Sequence, residues 1–158
     1  EMDIVRVRPF NHTGAGQSDQ FVLSSFARQI AELEADETRP AQLMVGNLDA
    51  ARDFSHVDDI LRGYALAALY GEAGEVYNIC SGRSQRIGDA LEKLRALSSR
   101  EIVVVVDPAR VRPVDVPEVV GSHARLTAAT GWRPEISFDA LLGELLEHWR
   151  GVVRTGVK

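Results

Sequence analysis

The sequence predicts an α/β fold. Short β-branched runs alternate along the chain with segments whose apolar residues recur every three or four positions, and Gly- or Pro-containing turn signals separate the two kinds. With 158 residues, 45% hydrophobic and 26% charged, the chain has the material of one compact domain and no low-complexity linker to divide it.

Ile4 to Val7 is short and apolar, the pattern of a strand buried on both faces, and it opens the chain with no preceding βα unit. Its sheet partners are therefore expected in residues outside this chain, as is also suggested by a chain that starts at Glu1 rather than methionine. Phe21, Val22, Phe26, Ile30 and Leu33 fall at helical spacing, predicting a helix from Phe21 to about Ala35 with Asp19 or Ser18 as cap. Leu43 to Val45 reads as a brief strand closed by the turn pair Gly46-Asn47.

The stretch Asp53 to Asp59 leads into a helix over about Ile60 to Tyr70, with acidic residues at its entry where they favour a helix N-terminus. Gly71 to Gly74 break it, and Glu75 to Cys80 form the next strand. Ile87, Leu91, Leu94 and Leu97 mark an amphipathic helix, and Ile102 to Val106 a strongly β-branched strand followed by a loop with Pro108, Pro113 and Pro117. A short helix near Ala124 to Thr130 ends at Gly131, a suitable C-terminal cap. The last helix carries a wide apolar stripe through Phe138, Leu141, Leu142, Leu145, Leu146 and Trp149.

Composition excludes several function classes. A net charge of −5 gives no general attraction to nucleic acid or an anionic membrane, so any anion site must be local. Lys93 and Lys158 are the only lysines, so the arginines are the donors to examine. Cys80 is the only cysteine, which removes intrachain disulfides and Cys-based zinc clusters and suits a buried thiol in a reduced cytoplasm. His12, His56, His123 and His148 share no metal-ligand spacing, and no G-x-S-x-G elbow is present. No run of apolar residues reaches the roughly 20 that a membrane helix needs, so no membrane partner is expected.

Gly14-Ala15-Gly16 follows a strand and precedes a helix, as a dinucleotide fingerprint does. The third glycine of that pattern would fall at position 19, where Asp19 would repel a pyrophosphate. Turn glycines are the better account. Two loops carry arginines between regular elements: Gly46 to Phe54, with Arg52, and Asp107 to Pro117, with Arg110 and Arg112. Loop arginines commonly form solvated surface pairs of small energy. Guanidiniums converging on one cleft with an asparagine amide would instead form a diphosphate clamp.

The strings Arg8-Pro9-Phe10-Asn11-His12-Thr13-Gly14, Phe21-Val22, Gly46-Asn47-Leu48, Arg52-Asp53-Phe54, Val76-Tyr77-Asn78, Arg112-Pro113-Val114-Asp115-Val116-Pro117 and Thr130-Gly131-Trp132-Arg133-Pro134 span nearly the whole chain. In this order and spacing they resemble the carboxyl-terminal, substrate-binding half of extended short-chain dehydrogenase/reductases that act on nucleotide sugars. The resemblance is strongest to the GDP-4-keto-6-deoxy-mannose reductases and next to the GDP-mannose 4,6-dehydratases. Thr13-Gly14 and Arg52-Asp53-Phe54 fit the reductases better.

The resemblance implies an NAD(P)-dependent parent enzyme, with Asn11 on the diphosphate or sugar and the backbone at Pro9 and Phe10 bordering the nicotinamide. It places Val45 to Leu48 against guanine, Arg52 and Arg112 on the diphosphate, and Asp115 on the ribose hydroxyls. It also implies a Rossmann half holding the cofactor and a catalytic Tyr-x-x-x-Lys, and the chain has neither signature. Tyr64, Tyr70 and Tyr77 are followed four places on by Ala68, Gly74 and Ser81, so no catalytic residue is assigned and the chain alone is expected to be inactive and to bind no cofactor. Other readings are a part of a dehydratase or epimerase, a non-catalytic nucleotide-sugar binding module partnered by a separate Rossmann subunit, and a remnant without function of its own.

Overall fold

A computed structural model describes residues 2–111 and 116–156. Strands β1 (Arg6–Pro9) and β5 (Val76–Ile79) pair in parallel, Arg6 opposite Val76 and Pro9 opposite Ile79. Strand β2 (Asn11–Thr13) runs parallel to β4 (Ala51–His56), whose first residues also pair with β6 (Ser84–Arg86), antiparallel, and with β8 (Glu118–Val119), parallel. Strands β3 (Gln42–Val45) and β7 (Val103–Val106) form a separate parallel pair. The helices are α1 (Val22–Ala35), α2 (Val57–Tyr70), α3 (Ile87–Ala96), α4 (Ala124–Thr130) and α5 (Phe138–Thr155).

Two apolar clusters hold these layers together. The larger joins Phe26 and Ile30 of α1, Leu43 of β3, Phe54 of β4, Leu91 of α3 and Leu145 of α5. The smaller joins Ile60 of α2, Tyr77 and Ile79 of β5, Leu126 of α4 and Trp132. Each fully buried side chain of this size contributes about 1.5–3 kcal/mol. Trp132 also donates its indole N–H to the Asp59 carbonyl at 3.0 Å, so its polar edge is satisfied inside the core.

Helix ends follow their local chemistry. Ser137 caps α5 by accepting from Ala140 N at 3.1 Å, while Gly131 (φ 73°) and Gly156 (φ 65°) end α4 and α5 in the left-handed region. At α1 the residue before the first turn is Phe21, without a side-chain cap, and neither Asp19 nor Ser18 takes that role. Asp19 pairs with Arg28, and Ser18 Oγ accepts from Gln20 N at 3.3 Å.

Three other expectations change. The first strand is shifted to Arg6–Pro9, and its partner, expected outside this chain, is β5 of the same chain, because Val76–Ile79 lies parallel beside it; Ile4 is left exposed (53%) and the strand is only partly covered among the described residues. Helix α2 starts at Val57, three residues early, because the His56 imidazole caps it, with Nδ1 accepting from Asp58 N at 3.1 Å. Residues 51–56, read as irregular, form the strand β4 on which the sheet is organised.

Candidate functional site

The chain leaves β1 at Pro9, donates Phe10 N to the Ile79 carbonyl (2.9 Å) and enters β2 at Asn11. The loop that follows is folded back by Gln17. Its side chain donates to the His12 carbonyl (2.8 Å) and accepts from Thr13 Oγ1 (2.5 Å), and its carbonyl accepts from Ser24 Oγ (2.8 Å). Ser24 Oγ in turn accepts from the Trp149 indole at 2.8 Å, so the loop is tied to both α1 and α5. The Phe10 carbonyl can only accept, so the imidazole nitrogen 2.9 Å from it, His12 Nδ1, carries the proton.

Two hollows open on either side of this loop. One, of about 520 Å³, is lined by Pro9, Phe10, Asn11, His12, Gln17, Phe21 and Val119. The other, of about 530 Å³, has walls that include Asn11, Phe21, Val45, Gly46, Asn47, Arg52, Phe54 and Arg110. Asn11 and Phe21 belong to both, and Phe21 is 57% exposed. An apolar wall with a few convergent polar groups is the common form of a small-molecule site.

Close backbone approach shapes both. A Cβ at Gly121 would lie 2.6 Å from the Phe10 ring and 2.8 Å from Cys80 Sγ, so glycine there lets the chain leaving β8 pack against the Phe10 wall of the first hollow. A Cβ at Gly46 would overlap the Arg110 carbonyl oxygen, so glycine there lets the short Pro108–Arg110 helical turn close over the second. Arg52 spans strands, with one guanidinium nitrogen donating to the carbonyls of Ala51 and Val116, both at 2.7 Å. Arg110 lies 3.4 Å from Asp107.

Behind these walls sits a buried carboxylate. Asp53 accepts from Ser81 N (2.8 Å), Ser81 Oγ (2.6 Å), Gly82 N (2.9 Å) and Gly121 N (3.2 Å). Burial, and next the Asp53 charge, push the neighbouring Cys80 thiol up to about 12, which keeps it protonated and unreactive. Among the described residues no group of three or more His, Cys, Asp or Glu could hold a metal ion.

Most of the residues singled out from the sequence meet here. Asn11, Pro9 and Phe10 line the first hollow, and Asn11, Val45 and Arg52 the second. Leu48 is not among the lining residues. It packs against the larger core, and its carbonyl accepts from Gly88 N at 2.9 Å. Arg112 and Asp115 lie outside the described residues. The structure adds Phe21 and Arg110 to the residues given a role, and Asn47 of the stretch Val45 to Leu48 lines the second hollow. Phe21 stands in one of the resemblance strings but reads in sequence as part of a helix's apolar face, and nothing in the sequence separates Arg110 from Arg112 two residues on.

The GDP-mannose 4,6 dehydratase family matches residues 1–145. The chain belongs to this family. A GDP-6-deoxy-D-mannose reductase of Pseudomonas aeruginosa is 44% identical over 151 residues, covering 96% of this chain and 49% of that protein. The human GDP-mannose 4,6 dehydratase is 24% identical over 165 residues, covering 92% and 44%. Among solved structures, RMD from Pseudomonas aeruginosa complexed with NADPH superposes with a TM-score of 0.86 and 43% identity, over 93% of this chain and 48% of that one. A UDP-glucose 4-epimerase from Thermotoga maritima with UDP-glucose (TM-score 0.82, 22% identity, 96% and 47% covered) shares the fold. The chain spans about half the length of the curated relatives it matches. Within the GDP-mannose 4,6-dehydratase family, the reductase likeness exceeds the dehydratase likeness, in line with Thr13-Gly14 and Arg52-Asp53-Phe54. No helix among the described residues is long and apolar enough to cross a membrane.

Proposed function

We propose that this chain is the sugar-nucleotide-binding part of an NAD(P)-dependent GDP-4-keto-6-deoxy-mannose reductase. The observation that carries the reading is the pair of hollows sharing Asn11 and Phe21, one walled by Pro9 and Phe10 and the other by Val45 and Arg52. A GDP-deoxyhexose in the second hollow would set its base near Val45, its diphosphate at Arg52, and its sugar at Asn11, facing the first hollow. Guanidinium forks and amide donors suit these groups. Arg112 joins Arg52 on the diphosphate in this reading, and Asp115 takes the ribose hydroxyls.

Phe10 and Val119 offer the first hollow an apolar wall and Asn11 an amide, a combination that suits a nicotinamide ring and its carboxamide. NAD(P)H, when bound, supplies hydride; this chain's residues border the ring and keep water from it. Residues 1–158 act as one nucleotide-sugar-binding domain, and residues 1–8 complete the last strand region of a Rossmann sheet supplied by the rest of the enzyme. The Tyr-x-x-x-Lys and glycine signatures are then supplied there too, and the chain alone is silent.

Calorimetry of the chain with GDP and GDP-mannose tests the binding part: heat of binding is expected, and its absence overturns the reading. Incubation with NADPH and GDP-4-keto-6-deoxy-mannose tests the silent part, since turnover by the chain alone would contradict it.

A further inference from the structure

We propose that Asp53 is a positioning residue that fixes the strand carrying Val119 against Phe10, and so sets the width of the first hollow and the pose of Arg52. Three consecutive residues of β4 hold the segment from Val116 to Gly121. Ala51 N donates to the Pro117 carbonyl at 2.8 Å, Arg52 donates to the Val116 carbonyl at 2.7 Å, and the Asp53 carboxylate accepts from Gly121 N at 3.2 Å. The first two grip one end of the segment and Asp53 the other. Between the grips lies Val119, which lines the hollow.

The same carboxylate also holds the Ser81-Gly82 turn, so one buried group sets two chain segments against each other. Asp53 is fully buried, and all four of its described donors are neutral. A buried charge held by dipoles alone is costly unless every donor is kept in place. Each of the three N–H donors comes from backbone, so the charge dictates where two chain segments run: the Ser81-Gly82 turn, where Gly82 has φ 72°, and the exit of β8 at Gly121. Gly121 already touches Phe10 and Cys80 with no room for a Cβ, so the pull of Asp53 presses backbone directly onto the wall of the hollow. Releasing Gly121 leaves the segment held at its other end, through Ala51, Arg52 and the Ser84–Glu118 hydrogen bond, with nothing from Asp53 fixing its exit. The guanidinium then follows a loosened strand instead of facing the second hollow in a fixed pose.

The proposal rests on the binding reading above, and its test separates the two. Hydrogen–deuterium exchange and GDP calorimetry are measured on the full chain as wild type, Asp53→Asn, Asp53→Glu and Ser81→Ala. Asp53→Asn is expected to speed exchange across 118–121 by tenfold or more and to weaken GDP binding by tenfold or more. Asp53→Glu, which moves the charge by one methylene, is expected to show the same local release. Ser81→Ala removes one donor from the other carboxylate oxygen and keeps the Gly121 anchor. It is expected to lower the melting temperature while leaving exchange at 118–121 and GDP affinity within twofold of wild type.

Unchanged exchange at 118–121 in a folded Asp53 variant overturns the proposal. So does Ser81→Ala matching Asp53→Asn in both exchange and affinity, since the effect would then be general destabilisation. If no Asp53 variant folds, the wild type decides: a Gly121 amide exchanging as fast as an exposed glycine refutes the anchor, and one slowed a hundredfold or more supports it. Absence of GDP binding to the wild type would count against the binding reading, while the exchange result still decides the anchor.

Discussion

Arg150 lays its guanidinium along the Glu34 carboxylate, Nε to Oε2 and Nη2 to Oε1 both at 2.7 Å, and so ties α5 to α1. The same nitrogen Nη2 also donates to the Leu97 carbonyl at 2.9 Å, drawing in the end of α3. The Arg150 hydrogen bonds hold the Glu34 carboxyl below its ordinary 4.5 despite partial burial. A carboxylate with a depressed folded-state value stabilises the fold fully above its unfolded value, and the contribution disappears as pH falls through the folded one. Glu34→Gln is therefore expected to lower stability by about 1–2 kcal/mol at pH 7, after allowance for partial solvent screening. The gap between wild type and variant should close below pH 4.5, read from urea titrations at several pH values.

Gly46→Ala puts a methyl group where the Arg110 carbonyl oxygen stands. The turn at Pro108–Arg110 must move away from the second hollow, at a cost of about 1–3 kcal/mol for overpacking. Calorimetry should show weakened GDP binding, and urea unfolding the loss of stability.

Arg52→Ala is expected to weaken GDP binding by roughly 1.5–3 kcal/mol, the range for hydrogen bonds to charged groups. Arg52→Lys should not restore wild-type affinity, because an ammonium cannot span the Ala51 and Val116 carbonyls while presenting a planar fork to a diphosphate. Full recovery with lysine would show that only charge is required.

With its thiol pushed up to about 12, Cys80 at pH 8 is ionised to roughly one part in ten thousand. Iodoacetamide labelling of the native chain should run only as fast as the protein opens. Addition of urea past the unfolding midpoint should bring labelling to the rate of a free cysteine.

The helices were readable in the sequence because apolar spacing records the face each one buries. Ile30 and Leu33 of α1, or Leu141 and Leu145 of α5, announce both the element and its contact side. Strand β4 was not readable, for an equally physical reason. Asp53 and His56 are fully or almost fully buried, yet carry a carboxylate and an imidazole. Asp53 becomes acceptable in a strand interior through partners distant in sequence, Ser81, Gly82 and Gly121, and His56 needs Glu144 at 3.0 Å beside its local bond to Asp58 N. Local pattern cannot supply those partners. The same holds within the candidate site: Asn11, Phe21 and Arg52 stand in recognisable strings and Val45 beside one, whereas Arg110 joins it only because the chain returns to that place in space.

Asn11 and Phe21 form a party wall between the two hollows. Whatever seats itself on one side selects among the orientations of the same two side chains that the other side sees. Two guests that fill both spaces and favour different orientations therefore cannot bind independently, and linkage requires each to alter the other's affinity by an equal factor. A substitution at either residue would change this mutual dependence as well as the separate affinities.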